Sequence, residues 1–168
     1  MGTNPEGKKL GILGMGGIGK AIAQRAHGFE MQIQYHNRTQ LTSDGECRDR
    51  YAIFCKSYKL MKWFEIAVEK QYHATYVDFE TLLKTSDIIS VSVPLSKETT
   101  HLLSAREFSI CKDGVIIVNT ARGKVIDEAA LVKALESGKV AAVGLDVFEQ
   151  VKKNGMDVKI DRLNSRGD

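Results

Sequence analysis

Cysteine is scarce in this sequence of 168 residues. It has three cysteines, Cys47, Cys55 and Cys111, and no pair of them has C-x-x-C spacing. An odd number of cysteines without that spacing argues against a disulfide framework and against a zinc site, so we predict no metal centre. Free thiols suit a reducing compartment, and we therefore expect a cytoplasmic protein.

Long apolar runs and a strong excess of one charge are also lacking. No apolar run approaches the roughly 20 residues that span a bilayer, and the opening MGTNPEGKKL lacks the apolar core of a signal peptide. The net charge is only +3, and residues 45–68 and 151–168 each carry five Lys or Arg against three Asp or Glu. Because the basic charge is local, we expect neither a membrane nor a nucleic acid as partner.

What the sequence does contain is a regular alternation of short apolar runs with helical patterns. Continuous apolar runs are typical of parallel strands covered on both faces, and alternation with helices predicts an α/β fold. We predict a Rossmann-like, doubly wound parallel sheet of about six strands. The predicted helix ends are Asp78 and Asp127 as N-caps, Ser104 with Glu107 as a capping box, and Gly138 just after a helix.

Residues 45–68, after the second predicted strand, do not fit this alternation. They hold two of the three cysteines and the only tryptophan. A basic amphipathic helix that touches a membrane or a partner would explain them, with Phe54, Tyr58 and Met61 on one face. An ordinary packed or disordered insertion explains them more simply, and we favour that interpretation.

The motif GMGGIG, which begins at Gly14, follows the first predicted strand and opens a helix. Gly14 permits a tight turn, Gly16 lets the backbone approach a pyrophosphate, and Gly19 lets the helix pack against the strand. The free N–H groups near Gly17 and Ile18 then face the phosphates. In this strand–turn–helix context the motif predicts a dinucleotide site rather than a turn without ligand.

The end of the second predicted strand, YHNRT, indicates which dinucleotide is preferred. A site for NAD has Asp or Glu here, and its carboxylate holds the ribose 2′-hydroxyl. In this chain Arg38 can pair with a 2′-phosphate, and Asn37 and Thr39 can donate hydrogen bonds to it. We therefore favour NADP(H) over NAD(H) as cofactor; the alternative interpretation is that Arg38 is a solvated loop residue.

Arg122 lies just past the end of a buried run, in the motif VNTARG. Ligands of open α/β sheets bind at the carboxyl edge of the strands, where an arginine can hold a carboxylate through two hydrogen bonds. From its position alone, a surface arginine explains Arg122 equally well.

Three long motifs, taken in order, resemble the D-isomer-specific 2-hydroxyacid dehydrogenases, and especially the glyoxylate/hydroxypyruvate reductase branch. They are PEGKKLGILGMGGIGKAIAQRA, SDIISVSVPLSKETTHLL and DGVIIVNTARGKVIDEAALVKALESGKVAAVGLDVFE. The 6-phosphogluconate and 3-hydroxyacid dehydrogenases also join a glycine motif to an NRT ending, but the later motifs decide against them. The likeness covers residues 4–38 and 74–149.

The resemblance implies roles for the matched positions. Arg122 would hold the carboxylate of a 2-oxo acid and polarise its keto oxygen, while hydride is transferred from the nicotinamide. A homodimer formed through this domain is also implied. Glu30 stands where the family usually has glycine. The other cofactor positions implied are Pro94 and Thr99 on the loop after the fourth strand, and Thr120, Ala121 and Asp146 around the nicotinamide.

The likeness stops at Gln150. Family chains continue from DVFE through one residue into EP, and that Glu orients a His that protonates the developing alkoxide. Here Val151 and Lys152 follow, so the catalytic Glu and His of the family are absent. The four histidines of the chain lie in other motifs, and we expect them to be solvated or packed: His27, His36, His73 and His101.

We expect residues 1–150 to form a dinucleotide-binding domain interrupted at 45–68, residues 151–168 to form a tail outside the family, and the substrate domain to be absent. One hypothesis covers all three departures, namely that the chain is a truncated or misassembled product of a longer gene. We therefore expect a 2-oxoacid reductase whose activity is lost or impaired in this chain alone. The alternative is a non-catalytic module that binds a dinucleotide and dimerises.

Overall fold

A computed structural model describes residues 4–38 and 72–149, and within these ranges the chain forms strands and helices in alternation. The predicted insertion, the predicted tail and Thr39 lie outside the described residues. The strands are β1 Lys9–Leu13, β2 Gln32–His36, β3 Ala74–Tyr76, β4 Ile88–Val91, β5 Val115–Asn119 and β6 Val140–Leu145. The helices are α1 Gly17–His27, α2 Phe79–Thr85, α3 Ala105–Ile110 and α4 Glu128–Glu136, with a short 3₁₀ turn at Gly123–Val125.

The six strands form one parallel sheet in the order β3-β2-β1-β4-β5-β6. The chain builds the sheet outward from β1 in one direction, then returns to β4 and builds in the other. This order confirms the predicted doubly wound, Rossmann-like α/β fold. The order reverses between β1 and β4, which creates a crevice at the carboxyl ends of those two strands.

Alternate residues of each strand point to opposite faces of the sheet, and the protein therefore has two separate hydrophobic cores. Ile12 packs with Ala23 and Ala26 of α1 in one core. Leu13, the next residue, belongs to the other core, which α2, α3 and α4 cover. Strands β1, β2 and β4 are therefore buried on both faces, as the continuous apolar runs of the sequence predicted, whereas β6 is largely exposed because no described helix covers its α1 side.

The predicted helix ends are confirmed. Asp78 and Asp127 each accept a hydrogen bond from the backbone N–H three residues further on, at 2.9 and 3.0 Å. Ser104 and Glu107 form the capping box. Gly138 follows α4 with a φ of 76°, in the left-handed region that glycine adopts without strain.

Glu30 closes the turn between α1 and β2 with a φ of 56°. This positive φ gives a physical reason for the glycine that the family usually has there, since a Cβ is strained in this region. None of the helices in the described ranges has the length and apolar content needed to cross a membrane.

Candidate functional site

The predicted site residues all follow the carboxyl ends of strands. In a parallel sheet these ends lie on one edge, and ligands bind where the strand order reverses. The topology therefore brings to one edge Gly14, Gly16, Gly17, Ile18 and Gly19 after β1, Asn37 and Arg38 after β2, Pro94 and Thr99 after β4, Thr120, Ala121 and Arg122 after β5, and Asp146 after β6.

Two glycines of the turn after β1 have no room for a side chain. Gly14 has a φ of 97°, and a Cβ there would lie 2.9 Å from the backbone carbonyl of Ser92. A Cβ on Gly19 would lie 2.2 Å from the carbonyl oxygen of Gly14 and 3.1 Å from Ile12 Cγ2. The tight turn and the close helix–strand packing predicted from the motif are therefore both present.

Gly16 and Gly17, in contrast, face open space, because a Cβ on either would meet no atom within 4 Å. The first turn of α1 has no acidic residue, and Gly16 supplies no side-chain cap for its N–H groups. Ile18, at the same end, is 59% exposed. An open backbone surface at the positive end of an 11-residue helix fits the pyrophosphate of a dinucleotide.

Asn37 links the end of β2 to the glycine turn, because its Oδ1 accepts a hydrogen bond from Met15 N at 2.7 Å. The sequence predicted that Asn37 donates to a 2′-phosphate. Because the Asn37 oxygen already accepts this hydrogen bond, the Nδ2 amide is the group of this side chain that can donate to a phosphate. Arg38 is exposed at the strand end.

Thr99 holds the loop after β4 in shape. Its Oγ1 donates to the carbonyl of Pro94 at 2.7 Å and accepts from Ser96 N at 2.7 Å. The hydrogen bond from Ser96 Oγ lowers the pKa of Glu98, and the positive charge of Arg38 lowers it further. Arg38 is therefore within electrostatic reach of this loop.

Asn119, the last residue of β5, shapes the turn that carries Arg122. It is 1% exposed; its Oδ1 accepts from Ala121 N at 3.0 Å, and its Nδ2 donates to Arg122 O at 3.1 Å. The sequence interpretation missed Asn119, although a polar residue at the end of an apolar run was a usable signal. Arg122 and Thr120 are exposed, and Arg122 Nη1 donates to Ala121 O at 2.7 Å. The guanidinium has five N–H groups in all, so it can also hold a ligand.

The chain that leaves β6 crosses directly over this turn. Asp146 N donates to Asn119 O at 3.1 Å, and the Asp146 residue is exposed. Gly123 is buried, and a Cβ there would lie 2.0 Å from the backbone carbon of Phe148 and 2.3 Å from Glu149 N. Asp146 and the Arg122 turn are thus held in neighbouring segments of the same edge.

His101 also reaches this edge, which the sequence did not indicate. Its Nε2 lies 2.9 Å from Glu149 Oε2, and the pair ties the loop before α3 to the chain that leaves β6. The other histidines make ring contacts, and His27 and His73 are exposed. His27 stacks on His73 with ring centroids 4.7 Å apart, and His36 packs against aromatic rings.

The sequence matches a family model, described as "D-isomer specific 2-hydroxyacid dehydrogenase, NAD binding domain", over residues 1–68 and 54–160. The chain belongs to this family. Its motifs had predicted the same family, and its sheet has the fold of a dinucleotide-binding domain. Because the matched part is the NAD-binding domain, a nicotinamide dinucleotide is the cofactor of this part of the family's enzymes.

Several members of the family are similar in sequence or structure. The 4-methyl-2-oxopentanoate reductase A of Aspergillus oryzae is 46% identical over 149 residues, which cover 89% of this chain and 38% of the relative. The glyoxylate reductase of Thermococcus litoralis is 43% identical over 150 residues, with coverage of 89% and 38%. A crystal structure of a glyoxylate reductase from Paecilomyes thermophila is 44% identical with a TM-score of 0.74, and it covers 95% of this chain and 40% of that one. The chain thus spans about two-fifths of the length of these relatives.

Proposed function

We propose that this chain is the dinucleotide-binding part of an NADP(H)-dependent 2-hydroxyacid dehydrogenase that reduces a small 2-oxo acid such as glyoxylate or hydroxypyruvate. The observation that carries the proposal is the open backbone at Gly16 and Gly17, at the N-terminus of α1, on the same sheet edge as Arg122. In this proposal residues 1–150 form the domain, with 45–68 as an insertion and 151–168 as a tail.

Each side of the site has a separate task in the proposed reaction. The bound cofactor supplies a hydride. The glycine turn would hold the pyrophosphate, and Thr120, Ala121 and Asp146 would face the nicotinamide. Arg122 would hold the carboxylate of the 2-oxo acid and stabilise negative charge on its keto oxygen.

Arg38 is the basis for preferring NADP(H) over NAD(H). It is exposed where an NAD site has a carboxylate, and its charge reaches the loop after β4. A charge-assisted hydrogen bond contributes about 1.5–3 kcal/mol, so Arg38→Ala should weaken NADPH binding about tenfold to a hundredfold and leave NADH nearly unchanged.

Isothermal titration of the whole chain with NADPH and NADH tests this preference. Arg25→Ala is a matched control, because Arg25 is an exposed arginine near the far end of α1 and donates to Ala21 O. This control should leave both affinities unchanged. Tighter binding of NADH than of NADPH by the unaltered chain would contradict the role given to Arg38.

Turnover tests the reductase against the alternative, a non-catalytic module that binds a dinucleotide and dimerises. A positioned general acid contributes about 10²–10⁴-fold, and the Glu and His that do this in the family are not matched in this chain. We expect NADPH binding without appreciable reduction of glyoxylate or hydroxypyruvate by this chain alone. Robust turnover would show that the chain holds an acid that the family motifs do not reveal.

We also propose a homodimer formed through this domain, in the cytoplasm. The family resemblance supports the dimer, and the buried free thiol of Cys111 fits a reducing compartment. Sedimentation velocity over a range of protein concentrations measures the state of association. A monomer at all concentrations would exclude the dimer.

A further inference from the structure

The hydroxyl of Ser92 is a buried group without a partner. Ser92 directly follows β4, and its Oγ is inaccessible to solvent. Within residues 4–38 and 72–149 it is the one buried side-chain oxygen or nitrogen that makes no hydrogen bond. Buried polar groups in proteins are normally paired, so a lone hydroxyl calls for a ligand, a water molecule or a partner elsewhere in the chain.

Two other hydroxyls, that of the buried Ser86 and that of the partly buried Thr85, follow the normal pattern. Ser86 Oγ donates to Leu82 O at 2.7 Å and accepts from Gln34 Nε2 at 2.9 Å. Thr85 Oγ1 donates to Thr81 O at 2.7 Å. Both lie at the amino end of β4, away from the proposed site, whereas Ser92 lies at its carboxyl end.

The backbone of Ser92 forms one wall of the crevice between β1 and β4. Ser92 N donates to Leu13 O at 2.8 Å, so the strand pairing continues one residue past the end of β4. The Ser92 carbonyl also lies against Gly14, where a Cβ would be 2.9 Å away. Ser92 is therefore beside the glycine turn, at the point where the strand order reverses.

The alternation along β4 places the Ser92 side chain on the side of α1. Ile88 packs into the core that includes Ala23 and Ala26 of α1. Residues two and four positions further along a strand share that face, which puts Ser92 there. This is the side of the sheet on which the N-terminus of α1 and the open backbone of Gly16 lie.

We propose that Ser92 is a cofactor-binding residue whose hydroxyl forms a hydrogen bond with the ribose–pyrophosphate part of the bound dinucleotide. The role of Ser92 rests on the proposed function, since it requires a dinucleotide to bind across the crevice next to Gly14. The hydroxyl then gains in the complex the partner that it lacks in the free protein.

The free protein and the complex should respond in opposite ways to Ser92→Ala. Removing an unpaired hydroxyl breaks no hydrogen bond, so the urea midpoint of the free protein should stay the same or rise. Losing one hydrogen bond to the cofactor should weaken NADPH binding about fivefold to tenfold in isothermal titration. The binding of ADP-ribose, which keeps the ribose–pyrophosphate, should weaken by the same factor.

Ser86→Ala is the matched control, because it removes a buried hydroxyl that is paired. It should lower the urea midpoint and leave the affinity for NADPH unchanged. Equal NADPH affinity of Ser92→Ala and the unaltered chain would overturn the role of Ser92 alone. A urea midpoint that falls as far as in Ser86→Ala would show a partner within the chain and would also overturn it. If the unaltered chain binds neither NADPH nor NADH, the proposed function itself fails.

Discussion

Replacing Glu30 by glycine should stabilise the protein. Two backbone hydrogen bonds hold this turn: Glu30 N donates to His27 O at 3.0 Å, and Glu30 O accepts from Gly7 N at 3.1 Å. They keep the φ of Glu30 at 56°, and this left-handed conformation is about 1–2 kcal/mol unfavourable for an L-residue with a Cβ. Glycine removes this cost, but it also raises the conformational entropy of the unfolded chain, which lowers the stability by about 0.4–1 kcal/mol. We expect the free energy of unfolding to rise by about 0.5–1 kcal/mol.

Urea unfolding followed by circular dichroism measures this change, and thermal unfolding should show a Tm about 1–4 °C higher. Glu30→Ala is the control, because it removes the same exposed carboxylate but keeps the Cβ. Its stability should stay within about 0.5 kcal/mol of the unaltered chain. If alanine stabilises as much as glycine, the gain comes from the lost charge and not from the backbone, and the explanation from φ is refuted.

Three further predictions concern the two ends of the sheet. Burial opposes ionisation of Asp87, but hydrogen bonds from Lys112 and from the backbone N–H of Lys9 hold its pKa below the usual value of an aspartate. Asp87→Asn should therefore cost about 0.5–1 kcal/mol in urea unfolding at pH 7, and the difference should vanish as the pH falls through that lowered pKa. Burial raises the pKa of the Cys111 thiol to about 11, so iodoacetamide at pH 8 should modify its peptide only after denaturation, as judged by mass spectrometry. Gly123→Ala would place a Cβ 2.0 Å from the backbone of Phe148, and it should lower the urea-derived stability by about 1–3 kcal/mol. A stability loss in Asp87→Asn that does not depend on pH would contradict the first prediction. Labelling of Cys111 in the native protein would contradict the second, and unchanged stability of Gly123→Ala would contradict the third.

Local patterns predicted much of this fold correctly. Asp78 and Asp127 cap helices as expected, because an N-cap depends only on the backbone three residues away. The conformations of Gly14 and Gly19 also followed from a short motif between a strand and a helix. Apolar runs indicated strands covered on both faces, which is correct for β1, β2 and β4 but not for β6.

The sequence by itself therefore determined the α/β class, the helix ends, the glycine turn and the family, because each depends on neighbouring residues or on long contiguous motifs. Only the tertiary structure decided how the site is held together. Asn37 binds Met15 across 22 positions, and His101 meets Glu149 across 48. The unpaired hydroxyl of Ser92 likewise becomes visible only when β4 lies beside β1. These contacts join strand ends that are distant in sequence, and no local pattern specifies which of them meet until the parallel sheet brings its carboxyl ends to one edge.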